Sequence, residues 1–166
     1  MTTLIDWARL AQEPGLDRFS GTAVARAALE RLLGPASVEA AVQCVLHEEA
    51  GWNVAQSVLV YLVSEQATRL AYRAYQEGGD AVAAPAVRLI KDIAHPAAKA
   101  WIAEFLSDPR LGSMGMDVLD QLVFAHAVDP QDAELQALLA LGRQHPLEDV
   151  REKAAAIADF VADAPA

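Results

Sequence analysis

His47-Glu48 is the one pair in this chain whose residue types could begin a metal site. An imidazole and a neighbouring carboxylate can each give a ligand to a transition metal, but a working centre needs three or four converging groups. His95, His126 and His145 are not followed by Glu, and no His-Glu-x-x-His run occurs. His47 therefore reads as a helix-end residue facing the negative pole of the helix dipole. Cys44, the single cysteine, lies in the apolar stretch Val42-Gln43-Cys44-Val45-Leu46, where a thiol is expected to be buried and poorly ionised. One cysteine also excludes an intramolecular disulfide and a cysteine-based zinc site. Gly112-Ser113-Met114-Gly115 lacks the length and the lysine of a phosphate loop and reads as a helix start. No Gly-x-Ser-x-Gly elbow is present. Asp117 and Asp120 sit three residues apart, but nothing nearby offers the dry surroundings that would turn one carboxyl into a general acid. These residues predict no catalytic centre, no metal and no cofactor, and hence a protein that is not an enzyme.

Charge narrows the partners. The net charge of −10 argues against nucleic acid, because phosphate-backbone binders gain affinity through lysine and arginine. The acidity is uneven: between residues 104 and 134 Glu104, Asp108, Asp117, Asp120, Asp129, Asp132 and Glu134 stand against the single base Arg110. Such a run is either a solvated face or a patch for a basic protein. Met1–Trp7 contains Asp6 and no basic residue, unlike a secretory signal. The longest stretch free of charged side chains, Ala50–Ser64, has 15 residues and is too short to span a bilayer. The reading is of a cytoplasmic protein with no membrane contact.

The elements that must position these residues are helices. Hydrophobic residues make up 54% of the 166, alanine is the commonest, and hairpin-turn signals are scarce. A short helix over Leu4–Ala11 ends at the breaker Glu13-Pro14-Gly15, and a second covers about Thr22–Leu33 before Gly34-Pro35. Four hairpins are expected after it: Val38–Glu48 with Trp52–Val63, Glu65–Glu77 with a helix ending near Ala94, Ala97–Leu106 with Ser113–Ala125, and Gln131–Arg143 with Leu147–Val161. Asp129-Pro130 supplies an N-cap and a first-turn proline for the fourth. Pro85 is expected to start its helix at Ala84 or Pro85, leaving Ala81–Ala84 as a separate turn. The second helices share a nine-residue frame, Val54–Leu62, Val82–Ile90, Met114–Leu122 and Val150–Ala158, with a small apolar residue or valine at the fifth place: Val58, Ala86, Val118 and Ala154. Val58, Leu62, Val118, Leu122, Ala154 and Ile157 are expected in the core. The repeat drifts from 28 to 32 to 36 residues, which marks degenerate repeats within one domain spanning 1–166.

Asp149-Val150-Arg151-Glu152-Lys153-Ala154-Ala155-Ala156-Ile157 resembles the second helix of a HEAT repeat, with its Val-Arg pair and alanine-rich packing face. The other frames keep the apolar places but carry Ala55, Ala83 and Gly115 where Arg151 stands. The resemblance covers about residues 36–162 in pattern and one hairpin in detail. It implies an all-α fold, an α-solenoid of about four HEAT-like hairpins with N-terminal helices, and it implies scaffolds, adaptors and inhibitors rather than a catalytic residue. HEAT-like deoxyhypusine hydroxylases assemble a di-iron centre from several His-Glu pairs, and this chain has one. HEAT-like DNA glycosylases have a basic duplex-binding face that this chain lacks.

The residues that suggest binding fall on the helix over Ser113–Ala125. Met114, Val118, Leu122 and Ala125 form a core stripe at 100° per residue, while Ser113, Asp117, Asp120, Gln121 and Phe124 gather on its flank. An aromatic ring among carboxylates is a plausible anchor with a charged rim. Phe160 occupies the frame place of Phe124 thirty-six residues on; packing between hairpins is the plainer role for both rings, as it is for Trp7, Trp52 and Trp101. The function expected is a non-enzymatic protein-protein interaction module. Its most concrete form is an acidic inhibitor or immunity-type protein holding a basic partner through Ser113, Asp117, Asp120, Gln121, Phe124 and Phe160. The alternatives are a HEAT-like lyase or cofactor-handling component, such as those acting on bilin chromophores, and an assembly factor or chaperone whose groove is lined by Val60, Phe124 and Phe160.

Overall fold

In the computed structural model, which describes residues 22–163, every regular element is helical. The helices are α1 (Thr22–Leu33), α2 (Pro35–Leu46), α3 (Trp52–Leu62), α4 (Glu65–Glu77), α5 (Asp80–Ile93), a 3₁₀ segment (Pro96–Trp101), α6 (Ile102–Ser107), α7 (Met114–Phe124), α8 (Ala133–Arg143) and α9 (Glu148–Ala162). No described helix is long and apolar enough to cross a membrane. The helix expected over Leu4–Ala11, with Trp7, lies outside the described residues.

Packing follows chain order. Sequential neighbours pair as α2 with α3, α4 with α5, α6 with α7 and α8 with α9. The second helices touch in sequence, α3 on α5, α5 on α7 and α7 on α9, while α2 meets α4, α4 meets the 3₁₀ segment and α6 meets α8. Side-chain hydrogen bonds show the same spacing. The links that join different hairpins span from 30 residues, Arg110 to Asp80, to 40 residues, Lys153 to Ser113. Between these limits fall Gln56 to Asp92, Tyr72 to Glu104 and Tyr75 to Asp108.

The core runs through all of the hairpins, and Phe105, Leu59, Leu89, Ile90, Leu122 and Leu135 are fully enclosed. Of the residues expected there, Leu62, Val118, Leu122, Ala154 and Ile157 are buried. Val58 is not; it is 38% exposed. Its helix, α3, is flanked by α1, which buries no residue of its own, so the fifth frame place opens onto a groove instead of a neighbouring helix. The stripe on α7 is also wider than expected: Gly115, Met116, Leu119 and Val123 join Val118 and Leu122 in the core, Met114 is half-buried, and Ala125 is exposed beyond the helix end.

Three boundaries differ from expectation for local reasons. Helix α5 runs unbroken through Pro85. Ala83, Ala86, Val87, Leu89, Ile90 and Ile93 on that helix are all buried, and this packing outweighs one missing backbone donor. The segment expected as a single helix over Ala97–Leu106 divides into the 3₁₀ turn and α6. Asp129-Pro130 forms a turn rather than a cap, and α8 is capped by Asp132, whose carboxylate accepts from the Glu134 N–H at 2.9 Å.

Candidate binding surfaces

Four Xaa-Pro turns prepare the loops that join the elements, and all use one device. In His95-Pro96, Asp108-Pro109, Asp129-Pro130 and His145-Pro146 the side chain before proline accepts a hydrogen bond from the backbone N–H two residues on. Proline fixes its own φ and gives no donor, so the bond passes over it and closes the turn. His145 reaches further: its Nδ1 accepts from Leu147, so Nε2 carries the proton and donates to the Leu106 carbonyl at 2.9 Å. Burial pushes the His95 pKa down.

The acidic run is mostly scaffold. Glu104 accepts from the Tyr72 hydroxyl at 2.6 Å, and Asp108 receives Arg110 at 2.6 Å and the Tyr75 hydroxyl at 3.0 Å. Hydrogen bonding to the Arg110 guanidinium holds the Asp108 carboxyl down at about 2. Burial first, and then the bonds to Glu104 and Asp108, push the Tyr72 and Tyr75 phenols up to about 12. Tyr72 also stacks on Trp101 with ring centres 4.0 Å apart. Lys99 is bonded to Asp132 and lies 2.8 Å from Glu134. The pair with Lys99 lowers the Asp132 pKa and raises that of Lys99. Lys153 of α9 binds both Asp117 of α7 and Ser113 at the N-cap of that helix. Among the described residues, Asp120 alone of the seven acids makes no ion pair or hydrogen bond. Lys99 and Lys153 lie outside the 104–134 window, so a count of charges along the chain could not register them.

The six residues expected to form one binding face therefore divide. Ser113 and Asp117 are committed to the α7–α9 contact, and Gln121 is half-buried. Asp120 is exposed, and so are Phe124 at 71% and Phe160 at 55%. Neither ring packs between hairpins. The offset of 36 residues from Phe124 to Phe160 is the one that brings Asp117 to Lys153. It relates matching places on two packed helices.

Among the described residues, no group of three or more His, Cys, Asp or Glu side chains converges as a metal site would require. His47 stands exposed at the end of α2. Cys44 is half-buried rather than enclosed, with its sulfur 3.9 Å from the carbonyls of Glu49 and Ala50. Gly112 takes a left-handed turn (φ +54°) and Gly115 lets α7 meet α6, since a Cβ there would stand 3.0 Å from the Leu106 backbone nitrogen. That glycine pair builds a helix junction.

Two further surfaces escaped the sequence reading. Leu29, Leu32 and Leu33 of α1 and Val54, Val58 and Tyr61 of α3 line an apolar groove of about 470 Å³. Val60, expected to line a groove with Phe124 and Phe160, packs against the core and lines a different cleft, of about 380 Å³, beside Gln121 and Ala125. A cleft of about 600 Å³ between α1 and α4 brings Arg31, Arg69 and Arg73 together with Glu30 and Glu65; Glu65 holds Arg69 at 2.7 Å. Both surfaces need α1 beside its neighbours, an arrangement that periodicity within one helix cannot reveal. The chain matches no family model, no curated protein and no solved structure.

Proposed function

We propose that this protein is a non-enzymatic binding module, an α-solenoid of HEAT-like hairpins, that holds a basic protein partner against the face of α7 and α9. The chain-order packing and the 30-to-40-residue span of the inter-hairpin bonds support the solenoid part, since each unit in such an array contacts only its neighbours. The observation that carries the binding part is the exposure of Phe124 and Phe160 at matching places on adjacent helices. Large rings left in water on a folded surface are characteristic anchors, and Asp120 supplies an unpaired carboxylate on the same helix as Phe124. The net charge of −10 steers a basic partner from a distance even though most local carboxylates are committed.

A pull-down with the full chain from its native host, read by mass spectrometry, identifies the partner, and surface plasmon resonance across a salt series measures it. Phe124→Ala raises the off-rate at a cost of about 1–3 kcal/mol if the ring is a hot spot. Asp120→Lys slows association, and binding of the unaltered protein weakens as salt screens charges over about 10 Å at 0.1 M. Salt-independent binding, or full affinity in both the Phe124→Ala and the Asp120→Lys variants, moves the site elsewhere.

A further inference from the structure

The groove between α1 and α3 stands out on a chain whose net charge is −10. Seven apolar or aromatic side chains converge on it, and the remaining lining residue, Ser57, already donates its hydroxyl hydrogen to the Asn53 carbonyl at 2.8 Å. A contiguous apolar surface of this kind marks a place that something covers.

We propose that Leu4–Ala11 of the same chain covers it. The sequence predicts a short helix there, and Leu4, Trp7, Ala8 and Ala11 fall at i, i+3, i+4 and i+7 with Asp6 and Arg9 opposite. Ile5 and Leu10 widen that stripe on either side, leaving Asp6 and Arg9 as the polar back of a segment that can lie in a groove. The described chain starts at Thr22, on the very helix that contributes Leu29, Leu32 and Leu33 to the groove. Helix α1 has 12 residues, a length of roughly 18 Å. The intervening Gln12–Gly21 can extend to roughly 33 Å, enough to bring the segment back along it, and Glu13-Pro14-Gly15 supplies the reversal. Tethering favours this occupant over a free one, because a short linker holds the segment at an effective concentration on the order of 1 mM. The segment then caps an open end of the helical array, as terminal units of repeat proteins must.

The test uses the full chain with Cys44→Ala and a nitroxide on Thr3→Cys, with methyl NMR as the readout. Methyl signals of Leu29, Leu33, Val54 and Val58 are expected to lose most of their intensity, and to regain it when Trp7→Glu or Val58→Glu is added. Circular dichroism verifies that each variant keeps its helix content; should Val58→Glu unfold, Trp7→Glu carries the test. Mixing spin-labelled, isotope-silent chains with unlabelled, isotope-enriched ones is expected to leave the signals intact. Full intensity in the labelled chain overturns the proposal. Loss that persists in the mixture also overturns it and makes a second copy of the chain the occupant.

Discussion

Asp108 shows how much one residue can hold: its side chain, 9% exposed, takes the Arg110 guanidinium and the Tyr75 hydroxyl and closes the turn over Pro109. Its pKa of about 2 lies below the ordinary carboxylate range, so its ionisation stabilises the fold above about pH 4. That stability is lost as the pH falls from about 4 through about 2, and it amounts to roughly 2 kcal/mol. Asp108→Asn is expected to flatten the acid limb of a stability-versus-pH curve measured by urea unfolding. An unchanged acid limb would show that the pair is not coupled to folding. Gly142 of α8 makes a different point, because a Cβ there would stand 2.8 Å from the Ala154 Cβ and 2.9 Å from the Met116 sulfur. Gly142→Ala gains about 1 kcal/mol in helix propensity. Overpacking costs about 1–3 kcal/mol, so a net loss of stability is expected by thermal or urea unfolding. A stabilised variant would mean that Met116 moves aside freely.

At the scale of elements, what could be read from the sequence was whatever is encoded locally. Helix α4 runs from Glu65 to Glu77 as expected, since Ser64 caps it by accepting from the Ala67 N–H and Gly78 ends it. The nine-residue frame holds at Ala86, Val118 and Ala154 and fails at Val58, because burial depends on which helix comes to lie opposite. The same distinction explains the candidate site. The exposure of Phe124 was legible from its place off the core stripe, whereas the commitment of Asp117 to Lys153 was not, because its partner lies 36 residues away. Ser64 joins the two kinds of information: it is fully buried, caps α4, and donates its hydroxyl hydrogen to Glu30 of α1. Ser64→Ala removes the cap, worth about 1 kcal/mol, and also leaves the Glu30 carboxylate without this donor. The expected loss exceeds that of a cap alone and is read by urea unfolding. A smaller loss would show that water replaces the hydroxyl. Tyr72 and Tyr75 on α4 give a second readout. With phenol pKa values of about 12, they favour the fold below pH 10, and that stability is lost as the pH rises from about 10 to about 12. Tyr72→Phe with Tyr75→Phe should remove the late phenolate absorbance in an alkaline titration.

For the molecule as a whole, chain-order packing makes stability a matter of position. Helix α5 touches α2, α3, α4 and α7 and buries six side chains, whereas α9 meets only α7 and α8 among its principal neighbours and buries four. In a quasi-one-dimensional array the units are linked through nearest-neighbour interfaces, so an end can open while the middle stays closed. Native-state hydrogen exchange should therefore give α8 and α9 a lower opening free energy than α5. Ile157→Ala, which removes buried apolar volume in α9, should lower protection in α8 and α9 more than in α5. Leu89→Ala in α5 costs about 2–5 kcal/mol, and it should lower protection throughout, because loss of the middle leaves neither side with a neighbour. If every helix exchanged at a single free energy, and Ile157→Ala lowered all of them equally, the molecule would be one cooperative unit. Its regular hydrogen-bond spacing would then describe its architecture without dividing its stability.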